Sequence, residues 1–137
     1  MNAMAIQKTT QILGRSCPRV IGKHVYGNMH GLDTALLVDA ERLEDIVRGA
    51  AKTGKMHLIE IMKYQFSNKE SPDYGGVSII ALIAESHIAL HTWPESNYAT
   101  IDIYSCGEDS DPKMAFNYII GEMKPVSYKQ HYADRSN

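Results

Sequence analysis

Cysteine is nearly absent from this chain: among 137 residues only Cys17 and Cys106 occur. One disulfide at most can form, so no disulfide scaffold supports the fold, and a paired Cys-x-x-Cys metal frame is excluded. Long apolar runs are missing too. None reaches the roughly 18–20 residues that a membrane-crossing helix requires. The N-terminal stretch turns polar at Lys8, Thr9, Thr10 and Gln11, unlike a secretory signal. Neither sign of charge dominates. A formal net charge of −2 and a pI near 6.3 provide no phosphate-attracting field, which argues against nucleic acid as a partner. An apolar share of 44% with 22% charged residues is that of a folding chain rather than a disordered one. The expectation within these limits is one cytoplasmic domain with free thiols.

Periodicity organises what is there. Residues 1–19, with Gly14 and Pro18, read as a flexible leader, and residues 20–137 as a single domain. Lys23 to Tyr26 predicts a short strand ended by the turn pair Gly27-Asn28. Asp39 offers an N-cap for a helix in which Leu43, Ile46, Val47, Ala50 and Ala51 share a face, with Gly54 as its stop. A strand follows, with Leu58, Glu60, Met62, Tyr64 and Phe66 on one face and Ile59 and Ile61 on the other. After the polar connection 67–76, Val77 to Ala84 reads as a strand buried on both sides that continues directly into Glu85-Ser86-His87. Trp93 to Asn97 makes a turn. Tyr98 to Cys106 then alternates, with Ala99, Ile101 and Ile103 on one face and Thr100, Asp102, Tyr104 and Cys106 on the other. Asp111-Pro112 is a cap with proline at the first helical position, and Phe116, Ile119, Ile120 and Met123 form that helix's buried stripe. Val126 to Tyr132 closes as a strand. Two helices with antiparallel strands predict an α+β fold, a two-layer sandwich with the helices on one face of the sheet. Strands apolar on both faces leave the second face to be covered, so two sheets are expected to pack face to face in a homodimer.

The run Ala84-Glu85-Ser86-His87-Ile88-Ala89-Leu90-His91-Thr92-Trp93-Pro94-Glu95 stands out because polar, reactive residues interrupt a buried strand. The strands carrying Ser86 and Cys106 are joined by a short turn and should form a hairpin. Closing it at Thr92 and Tyr98 puts Ser86 opposite Tyr104 and diagonal to Cys106, roughly 7–8 Å away, within reach of one bound small molecule. Taken singly, each residue has a plainer role. Ser86 is a tolerated small residue, Cys106 a small hydrophobe, Trp93 a packing anchor, and His87 and His91 satisfy carbonyls. Three chemistries remain for the group. Zinc on His87, His91 and Cys106 lacks the His-Glu-x-x-His spacing. A serine hydrolase lacks its Gly-x-Ser-x-Gly elbow. A non-catalytic small-molecule-binding module stays open, because fold alone does not decide function.

Glu85 to Glu95, together with Tyr98-Ala99-Thr100-Ile101-Asp102-Ile103-Tyr104-Ser105-Cys106-Gly107 and Asp111-Pro112, closely resembles the self-cleavage region of the prokaryotic S-adenosylmethionine decarboxylase proenzymes. Gly76-Val77-Ser78 is similar to the strand upstream of the cleavage point. His24-Val25-Tyr26-Gly27-Asn28 and Tyr132-Ala133-Asp134-Arg135-Ser136 resemble the archaeal branch, which includes pyruvoyl-dependent arginine decarboxylases. The likeness covers about residues 20–136. It implies cleavage between Glu85 and Ser86 into a 1–85 beta chain and an 86–137 alpha chain, with Ser86 converted to a covalent pyruvoyl group that forms a Schiff base with the substrate. No pyridoxal phosphate and no metal are implied. By the same resemblance His91 is the proton acceptor in processing, assisted by Ser78, and Cys106 is the proton donor in decarboxylation. Trp93 and Glu95 line the substrate pocket. The connection 67–76 is longer than the family's loop, so no pocket aromatic is carried over from it. The implied function is a decarboxylase of polyamine biosynthesis acting on S-adenosylmethionine, to give the aminopropyl donor for spermidine, with arginine decarboxylation to agmatine as the alternative. The implied assembly is a homodimer of alpha/beta heterodimers.

Overall fold

The structure, a computed structural model, describes residues 19–67 and 75–137. The expected leader lies outside these residues except for its last position, as does most of the polar connection 67–76. Among the described residues six strands form one antiparallel sheet in the order β2-β3-β4-β5-β1-β6. In chain order they are β1 (Gly22–His30), β2 (Leu58–Gln65), β3 (Val77–Ile83), β4 (Ser86–Trp93), β5 (Tyr98–Cys106) and β6 (Ser127–Asp134). Three α-helices connect them, α1 (Thr34–Leu37), α2 (Ala40–Thr53) and α3 (Pro112–Met123), with a 3-10 turn at Pro94–Ser96 between β4 and β5.

The helices start where capping chemistry places them. The Asp39 carboxylate accepts from the Arg42 N–H at 3.0 Å, and Asp111 accepts from the Met114 N–H at 3.0 Å, each satisfying a donor that the first turn leaves unpaired. Leu43, Ile46, Val47, Ala50 and Ala51 of α2 are buried, as are Phe116, Ile119 and Met123 of α3. These two stripes pack on each other and on a single face of the sheet, over Val25, Met29, Ile79, Ile83, Ile88, Leu90, Ile101 and Ile103. Each large aliphatic side chain buried there stabilises the fold by about 1.5–3 kcal/mol. The two-layer α+β architecture is therefore as the patterning implied, and among the described residues none covers the second sheet face.

Four local expectations are corrected. The pair Gly27-Asn28 does not end β1; the strand runs through it, paired to β5 on one side and β6 on the other. Gly27 is needed for closeness rather than for a turn, since a Cβ there would overlap the Lys129 carbonyl oxygen. The run from Val77 is not one strand. It breaks at Ala84-Glu85 into the β3–β4 hairpin, with Ile83 paired to Ser86. In β2 a bulge between Leu58 and Glu60 shifts the alternation, so Leu58 and Ile61 pack on the core while Met62 and Tyr64 stay 67% and 62% exposed on the bare face. Finally, the β4–β5 hairpin closes at Trp93 and Tyr98, one residue later than Thr92, and Ser86 faces Ser105 rather than Tyr104.

Candidate active site

The β3–β4 turn is held by long-range hydrogen bonds in place of glycine or proline. The Ala84 N–H donates to the His57 carbonyl at 2.8 Å. The Glu85 carboxylate accepts from the His57 backbone N–H at 2.9 Å and from its ring Nδ1 at 2.6 Å. Partial burial alone would push this carboxyl up. The His57 N–H and ring together outweigh that and hold it below the usual carboxylate range. The strain of the turn falls on the next residue: Ser86 has φ +155°, in the region that favours glycine. Such a conformation costs about 1–3 kcal/mol and persists only where its surroundings enforce it.

Two further contacts define this end of the sheet. The Glu85 carbonyl oxygen accepts from the Cys106 backbone N–H at 3.0 Å. A hydrogen bond of this kind polarises the carbonyl and lies ready to stabilise negative charge on its oxygen. Strict alternation with Ile88 would aim Ser86 at the helix-covered face, yet its Oγ lies 3.3 Å from Nδ1 of His87. The end of β5 is fixed by buried Ser110, whose hydroxyl donates to the Cys106 carbonyl at 3.0 Å and lies within hydrogen-bond distance of Ser105 Oγ at 3.1 Å. Cys106 is a free, half-buried thiol.

Ser78 and His91 form a second group. They are directly opposed in the β3–β4 register, and Ser78 Oγ is 2.8 Å from His91 Nδ1. With Phe66, Thr92, Trp93 and Glu95 they line a cleft of about 640 Å³. Thr92 anchors its floor: its buried hydroxyl accepts from the Val77 N–H and donates to the Leu37 carbonyl, each at 2.8 Å. The structure thus joins Glu85, Ser86 and Cys106 at one end of β4, and Ser78, His91, Trp93 and Glu95 at the other. It does not bring the two groups together within one chain. His91 lies five positions along an extended strand from Ser86, about 17 Å at strand rise.

Three participants escaped the sequence reading. Phe66 lines the cleft from just before the polar connection. Asp102 and His24 sit on the bare face beside His87, with His24 Nε2 3.0 Å from both Asp102 carboxylate oxygens and His87 Nε2 3.3 Å from Oδ1. Alternation put Asp102 on the face of Cys106, and that was the available signal. Only the register supplies its partners.

Comparison with known proteins places this arrangement. The crystal structure of the adenosylmethionine decarboxylase from Aquifex aeolicus VF5 matches with a TM-score of 0.75 and 30% identity, over 86% of this chain and 92% of that one. The fold is thus that of a small decarboxylase. A family model described as S-adenosylmethionine decarboxylase matches residues 23–136, and the chain belongs to this family, which is pyruvoyl-dependent in general. The arginine decarboxylase proenzyme of Hyperthermus butylicus is 48% identical over 136 residues, 98% of this chain and 93% of that protein. That of Ignicoccus hospitalis is 48% identical over 119 residues, 87% and 80% respectively.

Proposed function

We propose that this chain is a self-processing, pyruvoyl-dependent arginine decarboxylase that yields agmatine and carbon dioxide. The observation that carries the substrate is the 48% identity to two arginine decarboxylase proenzymes over most of each chain. That likeness outweighs the preference for S-adenosylmethionine drawn from the core motif alone. The cleft suits a guanidinium, because Trp93 offers an aromatic face and Glu95 an exposed carboxylate. S-adenosylmethionine is the second reading, favoured by the family model and the Aquifex structure. The same ring can stack on adenine, and the same carboxylate can accept from ribose hydroxyls.

Processing uses groups already in place. Ser86 Oγ attacks the Glu85 carbonyl, whose oxygen the Cys106 N–H holds. The peptide bond becomes an ester. Elimination releases the 1–85 chain as a carboxylate and leaves dehydroalanine at position 86, which tautomerises to an imine, takes up water and loses ammonia to give an 86–137 chain capped by the pyruvoyl group. The strained Ser86 and the polarised carbonyl beside it fit this conversion. The pyruvoyl group supplies an electrophilic carbonyl that draws electron density from the substrate's Cα as carbon dioxide leaves. The Cys106 thiol, a proton-bearing side chain at the end of β5, returns a proton to that carbon.

Ser78 and His91 are too far from Ser86 to act on it within one chain. The bare sheet face, with exposed Met62, Tyr64, Ile80 and Leu82, supports face-to-face packing with a second copy. In such a dimer the Ser78–His91 pair of one protomer meets the Ser86 region of the other and takes the Cα proton during elimination. An intact mass of the purified chain, followed by carbon dioxide release from each amino acid, tests this reading. Two fragments split after Glu85 and turnover of arginine support it. A single chain with a free Ser86 hydroxyl refutes self-processing, and turnover of S-adenosylmethionine alone refutes the substrate.

A further inference from the structure

Conversion of the Glu85–Ser86 peptide bond to an ester and then to a pyruvoyl group needs two proton abstractions, first from Ser86 Oγ and later from its Cα. The Ser78–His91 pair is remote from Ser86 in its own chain and is occupied by an internal hydrogen bond. A different imidazole lies at the hydroxyl. Ser86 Oγ is 3.3 Å from His87 Nδ1, His87 Nε2 is 3.3 Å from Asp102 Oδ1, and His24 Nε2 holds both Asp102 oxygens at 3.0 Å. We propose that His87 is the base that removes the Ser86 hydroxyl proton in the first step of self-cleavage, kept in its working tautomer by Asp102. This inference rests on the self-processing reading above.

The sheet register builds the relay from three strands. His87 faces Tyr104, and His24 faces Tyr104 from the other side, so Asp102, two residues along β5, is the diagonal neighbour of both. An ionised carboxylate accepts and does not donate, so each imidazole presents an Nε2–H to Asp102. In the neutral ring that leaves Nδ1 of His87 bare and facing the hydroxyl. Nucleophile, base and orienting carboxylate are the parts required to activate a serine, and the Cys106 N–H supplies the donor for the carbonyl oxygen.

The step balances without a co-reactant. The Oγ–H proton passes to His87 Nδ1 as Oγ bonds to the Glu85 carbonyl carbon, and the carbonyl π pair moves onto the oxygen held by Cys106. When that pair returns, the carbon–nitrogen bond breaks. The imidazolium then gives its proton to the Ser86 nitrogen, leaving an ester and a free amine. His24 acts one step back as a positioning residue, because it restrains the carboxylate and touches no reacting atom.

The test follows cleavage of the full chain by intact mass over time, in wild type, His87→Ala, His91→Ala and Asp102→Asn, each with and without added imidazole. His87→Ala is expected to cleave about a hundredfold more slowly or worse, and imidazole should restore much of the rate. Asp102→Asn should slow cleavage less. Hydroxylamine, which cuts esters, locates the block. His91→Ala should accumulate a hydroxylamine-labile ester and His87→Ala should not. A wild-type rate in His87→Ala, a loss that imidazole leaves unchanged, or a hydroxylamine-labile His87→Ala chain overturns the inference. An uncleaved wild-type chain overturns the self-processing reading instead.

Discussion

The Cys106 backbone N–H donates to the Glu85 carbonyl oxygen at 3.0 Å, so one residue at the end of β5 reaches the β3–β4 turn through its main chain. Its thiol is a separate group with a separate proposed use. The two contributions come apart on mutation, because alanine keeps the N–H and loses only sulfur.

Cys106→Ala should therefore still cleave into two fragments at close to the wild-type rate. Its carbon dioxide release should fall by about 10²-fold or more, the usual share of one positioned proton donor. Mass spectrometry checks the first half and radiolabelled carboxyl release the second. Normal turnover by the cleaved variant would remove the thiol from the reaction.

The separation of His91 from Ser86 within a chain makes a complementation experiment decisive. Neither Ser86→Ala nor His91→Ala should process alone. Co-expressed, they should form hybrids of the proposed dimer in which the intact Ser86 of one chain faces the intact His91 of the other. The tagged His91→Ala chain should then be cut, to at most half of its molecules if hybrids pair at random. Failure of that chain to cleave in verified hybrids would place the acceptor in the same chain.

Both long helices were legible in the sequence because their signals are local. Asp39 and Asp111 act as caps, and all five residues of the α2 stripe are buried. The break at Ala84-Glu85 was not legible, since neither residue carries turn chemistry and the bonds that bend the chain come from His57. Gly27-Asn28 misled for the converse reason: a dipeptide common in turns is held extended between two strands. At the site, Ser86, His91 and Cys106 were named, yet the one-residue error in closing the β4–β5 hairpin hid the His87–Asp102–His24 relay. Two-residue periodicity gives the face of a strand but not its partner.

Gly27→Ala probes the corrected β1. The new methyl would overlap the Lys129 carbonyl and approach the Phe116 ring, with 3.1 Å to its nearest carbon. Backbone cannot yield as a flexible side chain can, so β6 must shift from the sheet edge. A loss of about 1–3 kcal/mol is expected, seen as a melting temperature several degrees lower. An unchanged melt would show that β6 is held too loosely to register the clash.

The Glu85 carboxylate carries a pH signature that is best read in the uncleaved Ser86→Ala background. Burial raises its proton affinity, but the His57 N–H and ring lower it further, for a folded value below the ordinary 4.5. A depressed carboxyl binds fewer protons folded than unfolded. Its stabilising contribution is complete above the unfolded value and disappears as pH falls through the folded one. The double variant Ser86→Ala/Glu85→Gln should melt below Ser86→Ala at pH 7, and the gap should narrow steadily below pH 4.5. One of the two hydrogen bonds from His57 comes through an exposed ring, and solvent screening keeps the effect small. A gap that stays constant with pH would assign the Glu85 contribution to hydrogen bonding that the amide reproduces poorly, and not to its charge.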